Sequence, residues 1–174
     1  MRLSPHARKA ALAAHLSFSI GWIGAVLAFL ALVLAAMARE DAAVLRAAWV
    51  GMELTGWLVI APLAVASLLT GLLMSLGTKW GLFRHYWTLV SLVLTLLAVA
   101  VLMGNLQTVS AYARVAAEES PDLVHLRGGL GGELLHAGAG LVVLLVVQVI
   151  NIYKPAGLTK HGRRAQAAAR PVEP

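Results

Sequence analysis

Residues 49–81 read WVGMELTGWLVIAPLAVASLLTGLLMSLGTKWG, an apolar run that carries a single carboxylate, Glu53. At about 1.5 Å of rise per helical residue, roughly 20 apolar residues cross a hydrocarbon core of about 30 Å, so this run is long enough to span a bilayer. A carboxylate inside such a span costs about 2.5–3.5 kcal/mol on insertion scales, and groups of this kind face a partner, an ion or a water-filled cavity. The rest of the chain reads as the housing for that group.

Composition agrees with the run. The 174 residues are 60% hydrophobic and 13% charged, with mean hydropathy +0.81, against about 45–50% and 25% for soluble domains. There is no cysteine, which excludes disulfides, thiolate metal sites and cysteine nucleophiles. The net charge of +6 sits at the chain ends and in one short loop, without the basic aromatic stripe that single-stranded nucleic acid stacks on. Nucleic acid is therefore not an expected partner. The basic start (Arg2, Arg8, Lys9) and the apolar run after it imitate a secretory signal, but a signal core is only about 7–15 residues, so the run is read as a retained first span.

Outward from the opening stretch, apolar runs give helices at residues 10–37, 42–76, 82–107 and 130–153. Asp41 is the expected N-cap of the second helix and Pro62 the expected site of a kink. Residues 77–81 form a tight loop, and SAYARVAAEESPDLVHLRGG a longer polar connection. The fold class is all-α, an integral membrane four-helix bundle. Residues 1–9 precede it, and residues 154–174 form a basic tail expected to be disordered and to meet anionic lipid headgroups.

Lys and Arg number three before the first helix, two in the second loop (Lys79, Arg84) and five after the fourth helix. The opposite loops hold four, together with most of the acids, Glu133 among them. By the positive-inside rule both termini are cytoplasmic in a bacterial plasma membrane, which requires an even number of spans. Trp80, Tyr86 and Trp87 fall at the cytoplasmic interface and Trp49 near the outer one.

Two levels carry polar groups. Glu53 lies about six residues, roughly 9 Å, outside the centre of its helix, and His136 reaches a similar outer depth, so the two can meet. Met37, Met52 and Met103 fall at outer helix ends with His125 nearby, and thioethers with imidazoles suit copper. The candidate copper set is thus His136, Glu53, Met52, Met103, Met37 and His125; ordinary core packing by methionine is the competing reading. At the cytoplasmic level His15, Ser19 and Trp22 share one face, and His85, Thr88, Ser91 and Thr95 another. His15 and His85 are candidate axial ligands of a haem b, or else interfacial residues. No GxxxxGK, GxSxG or HExxH occurs, and RGGLGGE is read as the flexible start of a span.

The motif AAHLSFSIGWIG, with His15 seven residues before Trp22, resembles the opening helix of CopD copper-resistance membrane proteins and, more loosely, of HemJ-type protoporphyrinogen oxidases. ASLLTGLLMSLGTKWG resembles the CopD pattern of a Thr-Gly pair followed by a Gly-Thr-x-aromatic-Gly loop. MELTGW, GTKWGLFRHYW and HAGAGLVVLLVV followed by YKP resemble a mostly actinobacterial family of four-helix membrane proteins in the same superfamily, one without an established activity. The resemblance covers most of residues 10–160 and implies a membrane bundle with a haem or copper site. HemJ-like proteins are expected to carry a lysine within LVSLVL, where this chain has Ser91. The leading expectation is a CopD-like membrane protein with a haem- or copper-binding polar site inside the bundle, for which the sequence leaves enzymatic activity open. A HemJ-like oxidase of a porphyrin substrate and a non-catalytic structural subunit are the alternatives.

Overall fold

The computed structural model describes residues 3–77 and 81–168. Lys79, Trp80, Arg2 and Arg170, invoked above for orientation, lie outside them. Four long helices account for most of the chain: α1 (Pro5–Ala38), α2 (Ala42–Gly77), α3 (Tyr86–Ala117) and α4 (Leu123–Tyr153), each long and apolar enough to cross a membrane. A short fifth helix, α5 (Lys160–Ala168), follows.

Helix starts are set by local chemistry. Ser4 caps α1 ahead of Pro5, whose missing N–H costs nothing at the first helical position. Asp41 caps α2 as expected, its carboxylate accepting from the Ala43 N–H at 2.8 Å. Asp122 caps α4 by accepting from the His125 N–H at 2.9 Å. Pro62 does not break α2. The helix instead widens into a π-helical turn over Gly56–Ile60, where the Ala61 N–H reaches the Gly56 carbonyl five residues back. Such a turn is a common way for a helix to absorb a local mismatch in its hydrogen-bond ladder. A Cβ at Gly56 would lie 2.4 Å from Leu106 Cδ2, so a larger residue there would have to displace that buried leucine.

The polar connection expected between residues 107 and 130 is largely helical. α3 continues to Ala117 and α4 begins at Leu123. Hydropathy marks where hydrocarbon ends, not where a helix ends, and the Ala- and Arg-containing segment after Gln107 continues the helix with Val109, Ser110, Ala113 and Ala116 facing inward. Two arginines stitch this end together. Arg46 donates from Nε to the Ala116 carbonyl at 2.7 Å, and Arg127 from its guanidinium to the Arg39 and Glu40 carbonyls at 3.1 and 2.6 Å. Both place a cation on the carbonyl-rich end of a helix, where the dipole favours it. Trp49, fully buried, stacks on Tyr112 at 4.4 Å, and Tyr112 stacks in turn on His125 at 4.8 Å.

At the other end the Leu3 N–H donates to the Gly77 carbonyl, and the segment after α4 folds back on the start of α3. Both chain ends of the described bundle therefore lie together, as four antiparallel helices require. The tail expected to be disordered is ordered through residue 168. Thr159 donates its N–H to the Arg84 carbonyl at 3.0 Å and its hydroxyl to the Phe83 carbonyl, and its Oγ1 accepts from the Gly162 N–H at 3.0 Å. These backbone contacts substitute for the large apolar groups that the tail lacks. Residues 169–174 lie outside the described part.

The bundle is apolar on its outside. Leu58 is 70% exposed and Leu135 74% exposed, a pattern that water disfavours and acyl chains do not. The fully buried large side chains, including Leu45, Trp49, Met52, Leu106 and Leu126, gather at the Arg46/Arg127 end. Toward the end that holds the termini the buried residues include Ser67, Thr88 and Ser91. Packing there is looser, and a cavity results.

Candidate functional site

His15 is the centre of that cavity. It lies half-buried on α1, and its ring rests against Gly71 of α2, where a Cβ would come within 3.0 Å of His15 Cε1. Nδ1 is 3.1 Å from the Ser67 carbonyl and 3.1 Å from Thr70 Oγ1. The carbonyl can only accept. Thr70 directs its own hydroxyl proton to the Ala66 carbonyl at 2.7 Å, which leaves its oxygen as an acceptor as well. Both neighbours therefore call for a proton on Nδ1, and the neutral imidazole is held as the Nδ1–H tautomer with the lone pair on Nε2. This is the arrangement by which a backbone carbonyl orients an imidazole for a ligand on its other nitrogen.

One helical turn along α1, the Ser19 hydroxyl bonds that of Ser67 at 2.8 Å. From the opposite wall α3 supplies Thr88, Ser91 and Thr95, and α4 supplies Gln148 and Asn151. Thr95 is satisfied by the Ser91 carbonyl at 2.7 Å. The hydroxyls of Thr88 and Ser91 have no hydrogen-bond partner, although the residues are only 5% and 8% exposed. Leaving such a group unmade costs about 1–3 kcal/mol. Together these side chains, with Trp22 and Trp87, line a chamber of about 230 Å³. Among the described residues Lys154 is its one lining residue of fixed charge, and no carboxylate lines it.

The row of His15, Ser19 and Trp22 thus meets the row of Thr88, Ser91 and Thr95. His85 does not line the chamber. It stands at the N-cap position of α3, pairs across an isolated bridge with Leu158, and tilts against Trp87 with ring centroids 6.1 Å apart. The α2 wall of the chamber, with Ser67 and Gly71, and Thr70 behind it against His15, entered the sequence reading only as part of the Thr-Gly resemblance. Its signal was a small polar stripe at i, i+3 and i+4 on the second helix.

The outer set differs in burial from residue to residue. Met52 is fully buried in the core, Met37 is 46% exposed, Met103 and Glu53 are half-buried, and His125 belongs to the ring stack. Among the described residues no group of three or more His, Asp or Glu side chains is placed to hold a metal. His136 is exposed and lines a second, apolar cavity of about 370 Å³ that Glu53 does not reach. The buried carboxylate at the outer level is Glu133, 3% exposed, whose Oε2 accepts from Asn105 Nδ2 at 2.8 Å. It extends the inward stripe Leu126, Leu130, Glu133, which was the signal that could have moved it from the loop into the core.

The fold and site define a bundle of four membrane-length helices with an internal polar chamber. No protein-family model, curated protein or solved structure matches the chain.

Proposed function

We propose that the chain is a multi-pass protein of the bacterial plasma membrane, with both termini cytoplasmic, that binds a small uncharged ligand in the His15 chamber. The observation that carries this reading is the pairing of a fixed acceptor with idle donors. His15 presents a lone pair on Nε2, while Thr88 and Ser91 hold buried hydroxyl protons that no protein group accepts. A ligand with one donor and one acceptor would satisfy both walls. The absence of a carboxylate from the lining leaves no counter-charge for a cationic ligand.

Haem b is the second reading, favoured by the His15 Nδ1–H and its carbonyl partner. The chamber offers this iron one imidazole, since His85 stands outside the lining. Copper is a third reading, on the thioethers of Met37, Met52 and Met103 with the imidazoles of His125 and His136. The porphyrin-oxidase reading lacks the expected lysine at Ser91, and a purely structural subunit would leave the two idle hydroxyls unexplained.

Absorption and native mass spectra of the detergent-purified full chain test the proposal. A co-purifying organic species of low mass, lost in His15→Ala and in Thr88→Val/Ser91→Ala, is expected. A Soret band lost in His15→Ala would replace it with the haem reading. A species retained unchanged by both variants, or protein that carries none, would overturn it.

A further inference from the structure

The polar chamber has a neighbour. The apolar cavity of about 370 Å³ lies deeper in the bundle, and Trp22 and Leu144 line both spaces. Its walls include Val26, Phe29, Ile60 and Leu102, and it reaches the outer surface of the bundle at Leu97 and Leu135, which are 57% and 74% exposed. A polar space and an apolar one that share two lining side chains match an amphiphile better than either space alone matches a ligand.

We infer that the two cavities form a single site for a prenylated quinol, with the ring in the His15 chamber and the prenyl tail in the apolar cavity. The inference rests on the chamber's being a ligand site and names its ligand. Three features select the head group. Trp22 and Trp87 line the chamber and favour a flat ring, which stacks on aromatic faces. Among the described lining residues Lys154 is the one cation, whereas a phosphate head would call for several. The donors and acceptor stand on different helices, with His15 Nε2 on one wall and the hydroxyls of Thr88 and Ser91 on another. A quinol answers both once the Thr88 or Ser91 side chain, whose oxygen is sealed from solvent within the wall, turns toward the chamber: one O–H then donates to Nε2 and the other oxygen accepts from the turned hydroxyl. The oxidised quinone has no proton to give, so its carbonyl would face the Nε2 lone pair. Reduced ligand should bind more tightly than oxidised ligand. The tail selects itself by access, because the apolar cavity reaches the lipid-facing surface and a prenyl chain can enter from the bilayer.

The test uses the full chain in nanodiscs, titrated with a diprenyl benzoquinol, its oxidised form, a tailless benzoquinol and farnesol, and read by tryptophan quenching. Gly140 lines the apolar cavity, and a Cβ built there meets nothing within 4 Å, so Gly140→Leu fills the tail space without a clash at its base. It should weaken diprenyl quinol at least tenfold and leave tailless quinol unchanged. Thr88→Val/Ser91→Ala should weaken both quinols at least tenfold and leave farnesol unchanged. The quinone should bind at least fivefold more weakly than the quinol. Circular dichroism and size-exclusion profiles confirm that the variants fold. If tailless quinol binds through Thr88 and Ser91 but the tail adds nothing, this inference fails and the chamber reading stands. If farnesol binds as tightly as the diprenyl quinol, the site is an apolar lipid pocket and the inference fails. If no probe responds to Thr88→Val/Ser91→Ala, both fall.

Discussion

Asn105→Leu should destabilise the bundle by leaving Glu133 without its donor. The carboxylate is 3% exposed and takes a 2.8 Å hydrogen bond from Asn105 Nδ2. A hydrogen bond to a charged group contributes about 1.5–3 kcal/mol, and a buried acceptor left unmade costs about 1–3 kcal/mol or more. Asn105→Leu is therefore expected to cost about 2–3 kcal/mol. Glu133→Gln keeps an acceptor for Asn105 and removes the burden of a buried charge, so it should stay within about 1 kcal/mol of the parent. The double variant Asn105→Leu/Glu133→Leu removes both polar partners at once, and its loss should fall short of the summed singles by about 1–2 kcal/mol. Unfolding in mixed detergent with rising SDS, followed by far-ultraviolet circular dichroism, supplies the four free energies of the cycle. Additive losses would refute the reasoning, and so would a Glu133→Gln loss as large as that of Asn105→Leu.

Gly129→Ala should cost about 1–3 kcal/mol, because a Cβ there lies 2.6 Å from the Tyr112 ring and 2.9 Å from Trp49, two stacked rings with little room to yield. Gly131→Ala, whose Cβ meets nothing within 4 Å, should be stabilising by about 0.5–1 kcal/mol through helix propensity alone, and the same SDS titration separates the two. Reporters fused after Pro174 or inserted between Gly77 and Thr78 should be cytoplasmic and one near Pro121 external; an external C-terminus would remove the four-span orientation. Lys160, Arg163 and Arg164 are exposed on α5 and should hold vesicles of anionic lipid with about 1 kcal/mol per base. That binding should weaken as salt rises, and equal binding to neutral vesicles would refute it.

The four spans were legible because each apolar run exceeds the thickness of a bilayer core, a condition that needs no knowledge of packing. Their azimuths were not. A soluble helix points its apolar stripe inward, but a helix that is apolar nearly all round, as α1 is, carries no such pointer. The rows of His15 with Ser19 and of Thr88 with Ser91 could be read from helical spacing, whereas their meeting, and the placing of Ser67 and Gly71 in the same lining, depends on how the helices are turned. Glu133 shows the same limit. Counted with the outer loop acids although it falls inside the fourth apolar run, it shows its inward face only once the extension of α4 to Leu123 adds Leu126 to the stripe of Leu130 and Glu133. Depth along a helix could be counted for Glu53 and His136, but depth alone did not say which carboxylate the core would take.

The division of the bundle into a tight end and a hollow end bears on what the chamber does. At the tight end the arginine caps and the Trp49–Tyr112–His125 stack satisfy their polar groups within the protein. At the hollow end two hydroxyls are buried unsatisfied, each at a cost of about 1–3 kcal/mol. A sequence selected for stability alone would replace Thr88 with Val and Ser91 with Ala, since the shapes change little and the penalty disappears. Retaining both hydroxyls makes sense where something else supplies the missing acceptor. Ligand binding then recovers the penalty in addition to its own contacts. It follows that Thr88→Val/Ser91→Ala should raise the stability of the ligand-free chain while abolishing stabilisation by ligand, an opposition of sign that a packing role for these residues does not produce.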